Sequence, residues 1–204
     1  MSEAHEHAEH IEHAGHSNKG VALLISILAL FLALSEMLGK SAQTQVITRT
    51  IETSDTWAFY QARNIRGTTV ATAQEAMQLE SEIETDAARK ARMDKLIDTW
   101  KKRLALWESD PEKQEGKKEL MAKARMLEEE RALARERYEN YEIASAALQI
   151  GIVLASASII ASTMALAWLA GGIGAVGLAI MALGLWWPTL LMSLLGGGGH
   201  GGGH

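Results

Sequence analysis

Apolar positions gather in three long runs along this chain, residues 21–38, 144–170 and 173–195. A helix rises about 1.5 Å per residue, so roughly 20 apolar residues cross about 30 Å of hydrocarbon. Each run therefore predicts a transmembrane helix. The last two lie in a stretch, residues 143–204, that holds no Lys, Arg, Asp or Glu. Gly171 and Gly172 between them predict a very short turn and a tight hairpin. Small residues four apart, such as Gly151 with Ala155 and Ala157 with Ala161, predict close helix packing in lipid.

Between the first and second runs the pattern changes to alternating spacings of three and four. One seam reads Ala76, Leu79, Ile83, Asp86, Lys90, Met93, Ile97, Trp100, Leu104 and Trp107, the signature of a coiled coil with a charged interruption. A weaker seam reads Leu120, Ala124, Leu127, Arg131, Ala134, Tyr138 and Tyr141. Ser109-Asp110-Pro111-Glu112 separates the two, with cap, proline and first-turn acid in helix-start order, and Gly116 delays the start. Gly67, followed by β-branched Thr68, Thr69 and Val70, predicts a further break. Three helical legs result, 39–66, 70–107 and 116–143. Because the chain must return to the membrane, one leg has to lie along it or be broken again. The 39–66 leg is favoured, with Trp57, Phe59 and Tyr60 at the lipid headgroups or, equally, packed on neighbouring helices.

Charge sharpens this partition. Residues 39–143 carry 19 of the 20 Lys and Arg and 20 of the 25 Asp and Glu, interspersed as on a solvated helix surface rather than clustered as in a nucleic-acid footprint. No nucleic-acid partner is expected. The absence of cysteine removes thiol catalysis, disulfides and thiolate metal sites. An acidic, His-rich start precedes the first run, which reads as a retained span rather than a cleaved signal.

Several strings carry a family resemblance: GKSAQTQ from Gly39, SDTWAFYQARNIRGTT from Ser54, ESDPEKQEGKKEL from Glu108 and YENYEIASAALQIGIVLASASII from Tyr138. Together with the His-rich start they make the chain resemble, over nearly its whole length, the domain-of-unknown-function 4337 family of bacterial membrane proteins. The resemblance implies a helical bacterial inner-membrane protein without an assigned activity, and it transfers no functional residue. The tail from Gly196 to His204 is outside the family pattern.

Candidate chemistry is sparse. All seven histidines sit in the two tails. His7, His10, His13 and His16 recur every three residues, interleaved with Glu6, Glu9 and Glu12, and imidazole with carboxylate suits Zn, Ni or Cu. A metal site also needs supporting groups and fixed geometry, so weak chelation is the expected outcome and no resident cofactor is assigned. Glu36, one helical turn before Lys40, reads as an interfacial ion pair rather than a relay. Residues 39–143 hold no histidine, cysteine or nucleotide-cradling loop, so no catalytic residue is assigned and no enzyme is expected.

The sequence thus predicts an all-α integral membrane protein with three transmembrane helices and an inserted helical, coiled-coil-like domain. Its parts are a His/Glu-rich tail (1–19), a first span (20–38), the inserted domain (39–143), spans at 144–170 and 173–195, and a Gly/His tail (196–204). The expected role is a non-enzymatic, self-assembling membrane scaffold whose partners are further copies of itself and membrane lipid. Met93, Ile97, Trp100, Leu104, Trp107, Gly151 and Ala155 are the expected contacts between copies. The alternative is an oligomeric channel or transport accessory with metal-collecting tails.

Basic residues set the orientation. Lys40, Arg49, Lys123, Arg125, Arg131, Arg135 and Arg137 flank the first two spans on the inserted domain's side, against Lys19 alone on the other. Excess Lys and Arg face the cytoplasm, so the inserted domain and C-terminus should be cytoplasmic and the N-terminal tail outside. With single cysteines at Ser2 and Ser109, an impermeant thiol reagent should label the first faster in intact cells. Faster labelling at Ser109 would invert the topology.

Overall fold

A computed structural model describes residues 2–190, with side chains from Lys19 onward. Its helices are α1 (Ser2–Ile83), α2 (Ala87–Glu108), α3 (Lys117–Ala161) and α4 (Met164–Trp186), and no strand occurs among the described residues. Three helices are long and apolar enough to cross a membrane: α1 from Lys19, α3 and α4. The chain divides into two compact units, Met1–Val46 with Ala132–His204, and Ile47–Arg131.

The break expected at Gly67 does not form. α1 runs through it unbroken. A glycine inside a helix costs about 1 kcal/mol relative to alanine, too little to end a helix that is packed along one side. The threonines that follow adapt to the helix: Thr68, Thr69 and Thr72 each donate a hydroxyl hydrogen bond to the carbonyl four residues back.

The chain instead reverses at residues 84–86. Asp86 caps α2 by accepting from the amides of Ala88 and Arg89, and the Glu84 carboxylate accepts from the amides of Thr85 and Asp86. The single seam expected from Ala76 to Trp107 is therefore cut at the turn, and only its α2 part faces inward. Met93 and Ile97 are buried and Trp100, Leu104 and Trp107 half-buried on α2, whereas Leu79 and Ile83 point outward from α1. Asp86, read as an interruption of the seam, is the turn itself.

This turn also answers the length problem in the second unit. α1 contributes residues 47–83 to it, about 56 Å at 1.5 Å per residue. The 22-residue α2 and residues 117–131 of α3 together match that length on the way back. The leg expected over 70–107 is thus the one that is broken again, at residues 84–86. Trp57 donates its indole N–H to Glu128 of α3 at 2.9 Å and meets Tyr60 edge-on, while Arg63 stacks over Phe59. Of these contacts the Trp57–Glu128 bond reaches another helix, whereas the ring contacts lie within α1 and Phe59 stays exposed. The buried face of α3 is Leu120, Ala124 and Leu127, the start of the second seam.

In the first unit the turn between the last two long helices lies at Ser162-Thr163, not at Gly171-Gly172, which are inside α4. The expected spans 144–170 and 173–195 shift accordingly, to an α3 that ends at Ala161 and an α4 of 23 residues; residues 191–195 lie outside the described residues. Ser162 takes a left-handed backbone (φ 54°), and the Thr163 amide donates to the Ser158 carbonyl at 3.2 Å, the bond of a Schellman helix end. Packing explains the choice of register. A methyl added at Gly177 would lie 3.2 Å from the Ala144 carbonyl and from Leu148, and one at Gly151 would lie 3.2 Å from the Ala170 carbonyl. A turn at 171–172 would set Gly177 opposite Leu166 and forfeit this small-to-small match.

The inner line of α1 in this unit is Val21, Leu28, Ser35 and Ala42, seven residues apart and all buried. Val21 joins Ala155, Ala167 and Ala170 in one apolar cluster.

Gly67→Ala tests the continuity of α1. Nothing lies within 4 Å of an added methyl, so the variant should be stabilised by about 1 kcal/mol. Denaturant unfolding of the full chain in detergent, followed by circular dichroism, measures it; destabilisation would mean that the helix is broken there.

Candidate functional site

Buried polar groups tie the three long helices of the first unit together around Tyr141. The Ser35 hydroxyl, fully buried on α1, donates to the Tyr141 carbonyl of α3 at 3.0 Å. Asn140, also fully buried, donates its amide to the Pro188 carbonyl just beyond α4 at 2.8 Å, leaving its own Oδ1 without a partner. Glycines make room: a methyl at Gly184 would sit 3.2 Å from the Tyr141 ring, and one at Gly39 would sit 3.5 Å from the Tyr141 Cβ. Beside this node is a groove of about 300 Å³ whose lining includes Glu36, Lys40, Tyr138, Tyr141 and Glu142. Glu36 does not form the expected pair with Lys40. It accepts from the Gln149 side chain of α3 at a long 3.4 Å. The groove's lining thus includes one ammonium group and two carboxylates.

In the second unit a cavity of about 350 Å³ lies between α1 and α2, lined by residues including Ser81, Glu82, Lys90, Asp94 and Ile97. The buried Ser81 hydroxyl donates to the Asp94 carboxylate at 2.7 Å and sets the register of the two helices. Arg89 reaches back from α2 to Glu80 and Glu84. Along the α1–α3 face, Arg49 pairs with Glu52 and Glu130, and Arg63 with Glu115. Thr53 and Thr56 are buried there too, with hydroxyls donating to the Arg49 and Glu52 carbonyls of their own helix.

Residues expected to join copies are largely occupied within one chain. Met93 and Ile97 are buried inside the second unit, with Trp100, Leu104 and Trp107 half-buried along the same line. Gly151 and Ala155 are buried in the first unit, Gly151 facing Ala170 and Leu28. The side chains of His7, His10, His13 and His16 lie outside the described residues. Among the described residues no group of three or more His, Asp or Glu stands close enough to hold a metal.

Two sites went unnoticed in the sequence. Ser35 carries a signal in retrospect, since it falls seven residues after Leu28 and fourteen after Val21 in the inner line of α1. Asn140 carries none, because its role depends on where α4 ends.

With this architecture in view, the class is that of an all-helical chain with three helices of membrane-crossing length. The chain belongs to the family defined by domain of unknown function DUF4337, whose model matches residues 17–187. No curated protein and no solved structure matches it.

The link between α2 and α3 supplies a measurable ionisation. Glu119 accepts from the Ser109 hydroxyl at 2.6 Å and from the Asp110 amide at 3.2 Å. These bonds, that of Ser109 foremost, hold its carboxyl below the usual carboxylate range. Gly116 is required beneath them, since an added methyl would collide with the Glu119 carboxylate and lie 2.5 Å from the Asp110 amide. A carboxylate whose pKa is depressed on folding stabilises fully above its unfolded value, about 4.3, and loses that contribution as pH falls through the folded value. Glu119→Gln should therefore flatten the acid limb of the stability profile, and Gly116→Ala should lower stability at every pH. Tryptophan fluorescence during denaturant unfolding at pH 3–7 reads both; an unchanged acid limb in Glu119→Gln would remove Glu119 from this role.

Proposed function

We propose that this protein is a membrane-anchored helical scaffold that assembles with copies of itself and catalyses no reaction. One observation carries the reading. α1 is a single helix that contains both a stretch apolar enough to cross a membrane and the first helix of the charged unit, yet on that unit it leaves Ile51, Ile65, Leu79 and Ile83 exposed. Covering such side chains contributes roughly 1.5–3 kcal/mol each, so a partner surface is favoured. The spans lie in a bacterial inner membrane with the charged unit in the cytoplasm, following the family resemblance and the basic flanks. The Glu-His tail chelates Zn, Ni or Cu weakly, and lipid surrounds the three spans.

The channel or transport alternative has less support. Ser156 and Ser158 donate their hydroxyls to carbonyls of their own helix, and Ser162 and Thr163 form a turn. These side chains offer a permeant ion little.

Mass measurement in lipid nanodiscs tests the scaffold reading directly. A defined oligomer that persists on dilution is expected. A clean monomer across a wide concentration range would overturn it.

A further inference from the structure

α1 and α2 of the second unit each carry an exposed apolar line that nothing among the described residues covers, and the charges beside the two lines are opposite in sign. On α1 the line is Ile65, Thr72, Leu79 and Ile83, with spacings of seven, seven and four. Ile65 and Leu79 are each 66% exposed and Ile83 80%. Glu75 and Glu82 flank it and form no ion pair within the described residues. On α2 the line is Leu96, Thr99 and Leu106, and its neighbours Arg92, Lys95 and Arg103 likewise form no ion pair within the described residues.

Their heights match. The Ser81–Asp94 hydrogen bond fixes the antiparallel register of α1 and α2. Two residues back along α1 and two forward along α2 from that bond lead to Leu79 and Leu96, which therefore lie level. Glu82 is then within one residue of the level of Arg92, and Glu75 within one turn of Arg103. A rotation axis running along these helices brings α1 of one copy beside α2 of the next without changing height. Apolar residues then face apolar residues, and each free carboxylate finds a guanidinium.

The geometry points to a second copy of this chain as the occupant, joined head to tail through the Ile65–Ile83 face of α1 and the Arg92–Leu106 face of α2. Self-complementary pairing of α1 with α1 is disfavoured because Glu75 and Glu82 would meet their own kind, and like charges opposed across an interface are repulsive. Two different patches in contact make a heterologous interface, which closes into a ring when the rotation allows. This inference rests on the scaffold reading and specifies the surface that carries it.

The chain has no cysteine, so placed cysteines report without background. Full-length Leu79→Cys and Leu96→Cys copies, with different tags, are mixed in lipid and treated with a short bifunctional maleimide. The mixture is expected to yield a cross-linked pair carrying both tags, and neither variant alone should. Adding Glu82→Arg to the first copy should cut the yield about tenfold, and adding Arg92→Glu to the second should restore it. Efficient cross-linking of Leu79→Cys to itself would overturn the head-to-tail contact in favour of paired α1 helices. A yield unaffected by Glu82→Arg would overturn the charge pairing. An oligomeric mass with no cross-link would refute this surface while leaving the scaffold intact, and a monomeric mass would remove both.

Discussion

Everything in the charged unit follows from a closure constraint: a helix that leaves must be matched by helix that returns. α1 goes out over residues 47–83 in one piece, and the chain comes back in two, α2 and the first part of α3. The return is interrupted at residues 109–116, where Gln114 adopts a left-handed backbone (φ 57°) and Glu119 grips Ser109 and Asp110. That interruption lets the returning chain be rebuilt in a new register. It moves the contacts of α1 from Asp94 of α2 to Glu115, Glu128 and Glu130 farther along.

The two units solve the burial of polar groups differently. In the charged unit, Thr53 and Thr56 turn their hydroxyls onto their own backbone, and the buried positions are otherwise mostly apolar, Met93, Ile97, Leu120, Ala124 and Leu127 among them, with a few ion pairs near the surface. Such partly exposed pairs contribute little individually, about 0–1 kcal/mol, and serve mainly to define register. In the first unit, glycines and alanines bring backbones close, and the sparse polar side chains, Ser35 and Asn140, bridge between elements. A buried donor is costly without a partner, so these two bonds select one arrangement among the many that small residues would accept.

Periodicity made much of this legible. The three apolar runs, the inward line Met93-Ile97-Trp100-Leu104-Trp107 and the second seam all follow from spacings that repeat over several turns. Features that rest on one or two residues are less legible. Gly67 and the Gly171-Gly172 pair looked like breaks because glycine is a poor helix former, but packing along the whole helix outweighs a penalty of about 1 kcal/mol per site. Asp86 and Ser162-Thr163, the actual ends, were hidden inside longer patterns. Asp86 occupied a seam position, and a short hydroxyl pair does little to interrupt an apolar run. The sites around Tyr141 and between α1 and α2 depend on residues far apart in sequence, which no local pattern reports.

The length of α1 has a consequence for biosynthesis. Ser35 and the Tyr141 carbonyl that accepts its hydrogen bond are 106 residues apart. At about 5–20 residues per second, the partner emerges roughly 5–20 s after the donor. Through that interval the inner line of α1 has neither α3 nor α4 to lie against. The order of translation is therefore part of how this fold is reached.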